Sequence, residues 1–220
     1  MAFLFAVLFT LQTNQVSLSW QQVSINEDLS VELPENHEII DTLGQVIYVA
    51  ESQYSIITLS SMPEFSLPDS ESISLRSIEE LKEFYDGLEK GTINSKKGKI
   101  ISSNDILLDS LTARIFQADY PNGETMLNQV IVIQDHVYFA SVRFATENLD
   151  YSKEEADRFF KSFQLNVKTK NQLKEVSTEN SAAYNVGYFI GKYIGYLMIP
   201  ILLICIIVFL KKARKKRAKA

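Results

Sequence analysis

The chain of 220 residues contains one cysteine, Cys205, which lies inside an apolar run near the C-terminus. Residues 20–165 contain none, so no disulfide framework holds that region together. No Asn-x-Ser/Thr sequence occurs anywhere, so there is no acceptor for N-glycosylation. Eukaryotic ectodomains often carry both features, and their joint absence leans toward a bacterial envelope. Histidine is almost as scarce. His37 and His136 fall in neither the His-Glu-x-x-His nor the Cys-x-x-Cys spacing that zinc and acid–base sites use. His136 follows Asp135 in a predicted turn and reads as a surface histidine. There is no Gly-x-Ser-x-Gly elbow and no phosphate loop. The closest glycine pair, Gly91 and Gly98, brackets Lys96 and Lys97 at the wrong spacing. No catalytic residue, cofactor site or metal site is assigned on this basis.

Basic charge is scarce as well, except at one place. Lys211, Lys212, Arg214, Lys215, Lys216, Arg217 and Lys219 crowd the last ten positions without an acid among them. All 27 acidic residues precede position 183, where they face only 14 basic ones. An acidic region of that kind repels phosphate backbones, which argues against nucleic acid as a partner.

Two apolar segments are present. Ala2 to Leu11 spans ten residues, too few for a helix to cross a hydrocarbon core of about 30 Å. Its length suits the core of a secretory signal. Ser17 and Ser19 supply small residues at −3 and −1 for cleavage before Trp20, so residues 1–19 are expected to be a signal peptide. The second segment, Tyr188 to Leu210, is apolar except for Lys192. Tyrosines mark its outer end, and the basic cluster begins directly after it. The positive-inside rule then places residues 211–220 in the cytoplasm as a basic anchor. Residues 183–210 are expected to form a single transmembrane helix, with the N-terminal domain extracytoplasmic and the chain in the inner (cell) membrane. Ala183, Gly187, Gly191 and Gly195 recur every four residues and share one helical face, a surface for close helix packing and for a weak homodimer.

Between these segments, residues 20–165 read as alternating strands and two helices, and polar residues 166–182 as a flexible stalk. Strands are predicted over 29–33, 45–50, 54–59, 99–107, 111–118, 128–133 and 137–144. Ser77 and Glu80 form a capping box for a helix over 77–90, with Gly91 as its stop. Ser152 and Glu155 form a second box, with Tyr151 stapled onto Ala156, and Ala156, Phe159, Phe160 and Phe163 give that helix one apolar face. Asp150, Glu154, Glu155 and Asp157 read as acids favouring its N-terminal dipole, not as calcium ligands. The expectation is an α+β domain, a largely antiparallel sheet covered by two helices. Phe65 and Leu67, between acids in a long predicted loop, are candidate partner contacts.

Three stretches carry a resemblance to a known fold: Leu29 to Pro34, Val137-Tyr138-Phe139, and Ala156 to Phe163. Their content and order resemble the PsbP/Mog1-like fold in its small bacterial envelope versions, over residues 20–165. The resemblance implies a binding or assembly module, since proteins of this fold share no catalytic site, and no ligand residues carry over. The expected function is a membrane-anchored, non-catalytic module with a protein partner in the envelope. An enzyme with an unrecognised site, or a small subunit acting through its transmembrane helix, are the alternative classes.

Overall fold

The computed structural model describes residues 19–42, 45–52, 54–63, 75–133, 136–166, 172 and 183–195. The strands are β1 (Trp20–Ser24), β2 (Leu29–Pro34), β3 (Glu38–Thr42), β4 (Gln45–Glu51) and β5 (Ser55–Pro63). Helix α1 (Ile78–Ser95) follows, then β6 (Lys99–Leu108), β7 (Leu111–Tyr120), β8 (Glu124–Ile133) and β9 (His136–Ala145). A 3₁₀ turn (Thr146–Asn148) leads into α2 (Leu149–Lys161) and the short β10 (Gln164–Leu165). Residues 183–195 form a further helix, α3. The class is α+β, as the residue pattern implies, with two sheets where one was expected. Seven strands pair in the order β3-β4-β5-β9-β8-β7-β6, and β1-β2-β10 form a small second sheet. Every pairing is antiparallel.

Alternation along the strands builds two cores, one on each face of the large sheet. Ile57, Leu59, Ile131, Tyr138, Ala140 and Val142 point to one side, where they meet Leu29 and Val31 of β2 and Phe159, Phe160 and Phe163 at and beyond α2. Phe116, Ala118, Met126, Val130, Val132 and Phe139 point to the other, against Leu81, Phe84, Tyr85 and Leu88 of α1. Central strands β8 and β9 are therefore buried on both faces, so their predicted one-sided alternation is in fact double.

Four local expectations are corrected. Ser77 caps α1 as predicted, with its Oγ accepting from the Glu80 N–H, but the Glu80 carboxylate accepts from the Arg76 N–H, one residue outside the box. The helix continues through Gly91 to Ser95. In α2, Ser152 is no cap: the helix starts at Leu149, and the fully buried Ser152 hydroxyl makes no hydrogen bond among the described residues. Tyr151 is exposed and stacks on Tyr54 at 4.9 Å instead of stapling onto Ala156.

Gly91 does not stop α1 because its missing side chain is used for packing. A Cβ on Gly91 would meet the Tyr188 carbonyl and lie 2.8 Å from the Lys192 nitrogen. One on Gly87 would meet the Tyr184 carbonyl and lie 2.8 Å from the Tyr188 nitrogen. The relation is reciprocal: on α3, Gly187 faces the Phe84 carbonyl, Gly191 the Leu88 carbonyl, and Gly195 the Ser95 side chain. Positions rise together on the two helices, so they run parallel with backbone against backbone. Ala183, Ile190 and Ile194 join the core under α1. Positions 183, 187, 190, 191 and 194 are the buried stripe of an amphipathic helix.

Tyr85 secures α1 to the sheet from the other side. Its hydroxyl donates to the Thr112 carbonyl at 2.8 Å and accepts from the Val132 N–H at 3.1 Å. The β7–β8 ladder runs only as far as Ala113 and Ile131. The side chain therefore replaces a missing rung. Gln172 completes it, donating to the Thr112 and Val132 carbonyls at 2.6 and 3.0 Å and accepting from the Thr112 N–H at 2.9 Å. Arg114 ties the same region to edge strand β6 and to α1 through Asp105 (2.6 Å), Asp86 (2.8 Å) and Glu89 (3.3 Å).

Two substitutions test this packing. Gly191→Val forces the helices apart, and overpacking of this kind costs about 1–3 kcal/mol. Thermal denaturation will show a midpoint lowered by about 2–4 °C per kcal/mol, while Asn185→Ala, on the exposed face of α3, leaves it unchanged. Tyr85→Phe strands the buried Val132 N–H, and urea denaturation will show a loss of about 1–3 kcal/mol.

Candidate functional site

Strand register gathers an ionisable cluster at the end of the large sheet where α1 finishes. Tyr120 lies opposite Glu124, and Glu124 opposite Ala145. Two rows further in, on the same face, Arg143 lies between Met126 and Ile56. Arg143 and Glu124 are thus diagonal neighbours, and one guanidinium nitrogen, Nη2, donates to both carboxylate oxygens. The α1 terminus delivers Lys96 to the same place. The N–H groups of Lys96 and Gly98 both reach the Ile93 carbonyl, at 3.2 and 3.0 Å, and Lys97 takes the left-handed turn at φ 55°. Gly98 is needed here, because a Cβ would lie 2.6 Å from the Tyr120 ring. Lys96 Nζ sits over that ring at 5.7 Å from its centre.

The cluster is rich in donors that find no acceptor. Lys96 Nζ, Arg143 Nε and the Tyr120 hydroxyl are buried and make no hydrogen bond among the described residues. Arg143 is only 8% exposed. Burial, with help from Arg143, pushes the Lys96 ammonium down to about 8, while Glu124 pulls the other way. Burial also raises the Tyr120 phenol to about 12, with Glu124 reinforcing it and Arg143 opposing. Beside the cluster, Arg143 and Glu124 form one wall of a cavity of about 250 Å³, whose other walls are Glu51, Ser52, Tyr54 and Ser55. Ser52 and Ser55 both donate to the same oxygen of Glu155, at 2.7 and 2.6 Å. Among the described residues no histidine, lysine or cysteine partners these hydroxyls, and they clamp the β4–β5 turn to α2. With Glu124 held by Arg143, the buried Lys96, Arg143 and Tyr120 donors suit an anion's oxygens.

The residues singled out in the sequence fall elsewhere. Gly187, Gly191 and Gly195 are set against α1 of the same chain. Phe65, Leu67 and the basic residues from Lys211 to Lys219 lie outside the described residues, as do 196–210. Among the described residues, no helix is long and apolar enough to cross a membrane. His37 Nδ1 lies 2.8 Å from the Pro34 carbonyl, and the His136 ring stacks on Tyr138 at 6.1 Å. No group of three His, Cys, Asp or Glu residues is placed to hold a metal among the described residues. Sequence reading missed Arg143, although a charged residue inside the apolar strand Val137 to Phe144 was a usable signal. Lys96, Tyr120 and Glu124 carried none, because only the sheet register and the end of α1 bring them together.

No family model matches the chain, and no curated protein does. Among solved structures, the chain is similar to cyanobacterial PsbP from a Synechocystis species. The two share 12% identity and a TM-score of 0.50, over 68% of this chain and 94% of that one. A Pseudomonas aeruginosa protein of unknown function aligns at 12% identity and a TM-score of 0.36, over 63% and 91%. The fold is PsbP-like, as the strings at 29–34, 137–139 and 156–163 imply.

The buried lysine sets a pH dependence. The unfolded chain keeps Lys96 protonated up to its ordinary 10.5, whereas the folded chain releases that proton near 8. Between those values the unfolded state binds more protons, so stability rises with pH. Toward pH 10 and above the sign reverses, because burial makes Tyr48, Tyr85, Tyr120 and Tyr138 hold their protons more tightly in the folded chain. Urea denaturation will show a midpoint that climbs from pH 8 to 9 in the wild type, and Lys96→Met will lose that rise.

Proposed function

We propose that the chain is a membrane-anchored extracytoplasmic binding or assembly module without enzymatic turnover. The observation that carries this reading is the continuity of α3 with the apolar run. Helix α3 is held to the domain backbone to backbone, and the sequence after Gly195 has no charge until Lys211. A segment of that composition followed by seven basic residues suits a membrane span with a cytoplasmic anchor. The PsbP-like fold adds support for a binding role.

In this reading residues 1–19 direct export, residues 20–165 lie outside the inner membrane, and residues 211–220 lie in the cytoplasm. The module's protein partner in the envelope would meet the outer domain, and Phe65 and Leu67 remain its candidate contacts. With Gly187 and Gly191 filled by α1, a second copy would have to displace α1 to pair through that face.

Separate epitope tags placed before Trp20, inside any cleavage point, and after Ala220 test the topology. Protease added to cells with an opened outer envelope will remove the first tag and spare the second until lysis. Removal of the second tag first would reverse the orientation and end the proposal.

A further inference from the structure

Strand pairing lines up three side chains at the end of the large sheet. Arg143 lies opposite Ile56, and Ile56 lies opposite Glu51. Directly paired residues share a face, so Arg143 and Glu51 flank Ile56 on one side of the sheet. Two strand spacings separate their backbones, or about 10 Å. Both residues line the cavity of about 250 Å³, together with Tyr54, whose ring is backed by Tyr151 at 4.9 Å. Sites for drug-sized ligands run to about 300–1,000 Å³, so this one suits a smaller group.

The two ends of the row make opposite demands. Asn36 donates to the Glu51 main-chain carbonyl, and the Glu51 carboxylate has no partner among the described residues. Arg143, 8% exposed, gives Nη2 to Glu124 and keeps Nε without an acceptor among the described residues. One end therefore calls for a cation and the other for an acceptor oxygen. The balance of the walls is acidic, with Glu51 and Glu124 against Arg143. Glu155, held by Ser52 and Ser55, stands beside them. An oxygen that reaches Arg143 must come on a molecule that is cationic elsewhere. In a small free amino acid the ammonium and carboxylate share one carbon and cannot reach both ends of the row. A residue of arginine or lysine within a chain can, because its long side chain separates the charged head from the main-chain carbonyl. A free basic amino acid would bring a second ammonium, and Glu124 is already held by Arg143.

We infer, on the binding-module reading, that this cavity receives one basic side chain of a protein partner, with its charged head on Glu51 against Tyr54 and its main-chain carbonyl toward Arg143. Arginine fits better than lysine. A planar guanidinium meets a carboxylate through two parallel hydrogen bonds and stacks on an aromatic face. The surrounding acids steer a basic protein surface toward the same end of the sheet.

The test titrates the full chain in detergent micelles with Nα-acetyl-L-arginine N-methylamide and follows amide resonances by NMR. The amides of Glu51, Tyr54, Ile56 and Arg143 will shift, and those of β6 will not. The citrulline analogue has nearly the same shape without the charge, and it will bind about tenfold more weakly or less. Glu51→Gln and, separately, Tyr54→Leu will each weaken the arginine probe severalfold while resonances elsewhere keep their positions. Equal binding of the arginine and citrulline probes overturns the inference. So does an absence of shifts at the four amides, or arginine binding that survives both variants. Free L-arginine bound at least as tightly as the capped probe makes this a small-molecule site and overturns the protein side chain. A probe that binds but is recovered chemically altered, by mass spectrometry, upholds the preference for a cation and ends the non-enzymatic reading instead. Inverted topology in the tag experiment would end the anchored reading without moving these shifts, since none of them depends on the bilayer.

Discussion

The close approach of α1 and α3 governs the rest of the architecture. Two glycines on each helix let backbone meet backbone where any Cβ would collide. Close approach of this kind gains dispersion contacts along the whole interface, and it fixes register because side chains do not cushion the fit. It also makes α3 a part of the domain instead of a tether. Ala183, Ile190 and Ile194 complete a core that α1 covers only in part. Gln172, between α2 and α3 in the chain, satisfies backbone groups of Thr112 and Val132 that the ladder leaves unpaired. The polypeptide after α2 is thus bound to the domain at two separate points.

The same arrangement explains why polar chemistry collects at one end of the sheet. Helix α1 crosses the face of β7, β8 and β9 and releases the chain at Lys96, beside the last residues of β7 and β9. Strand register adds Tyr120, Glu124 and Arg143. A single carboxylate then serves an environment with two cations and a phenol, and donors outnumber acceptors. Arg114, beside the middle of α1, shows the opposite balance: three carboxylates surround one guanidinium, which burial alone would lower but the acids hold above its usual range. One cluster is closed, with its charge satisfied inside the fold. The other is left with unmet donors facing the end from which α3 departs.

Much of the fold was legible in the sequence. Strands β2, β4 to β9 and both main helices follow from period-2 and period-3.6 patterning, and the PsbP-like character follows from a few apolar strings in the right order. Edge strands β1 and β3 were not legible, because short half-exposed strands carry little alternation. Ser152 mimics a cap because the capping box is a local pattern, whereas the start of α2 is set by the 3₁₀ turn that feeds it from β9. Gly91 mimics a stop for a related reason: a glycine needed for a distant contact looks the same in sequence as one needed for a left-handed turn. The spacing of Gly187, Gly191 and Gly195 announced a close helix contact, but not that its partner is α1. Apart from Arg143, the donor cluster was hidden, since pairing across three strands joins Tyr120, Glu124 and Arg143, and the end of α1 brings Lys96 to them.

The central claim is that α3 belongs to the folded domain through its glycine contact with α1. Amide hydrogen exchange on the full chain in detergent micelles, compared with a chain ending at residue 182, measures this most directly. Residues 183–195 should be protected to the same degree as the second half of α1, and loss of α3 should speed exchange at 84–95. Fast exchange at 187–191 in the full chain, or α1 protection indifferent to the truncation, would contradict it.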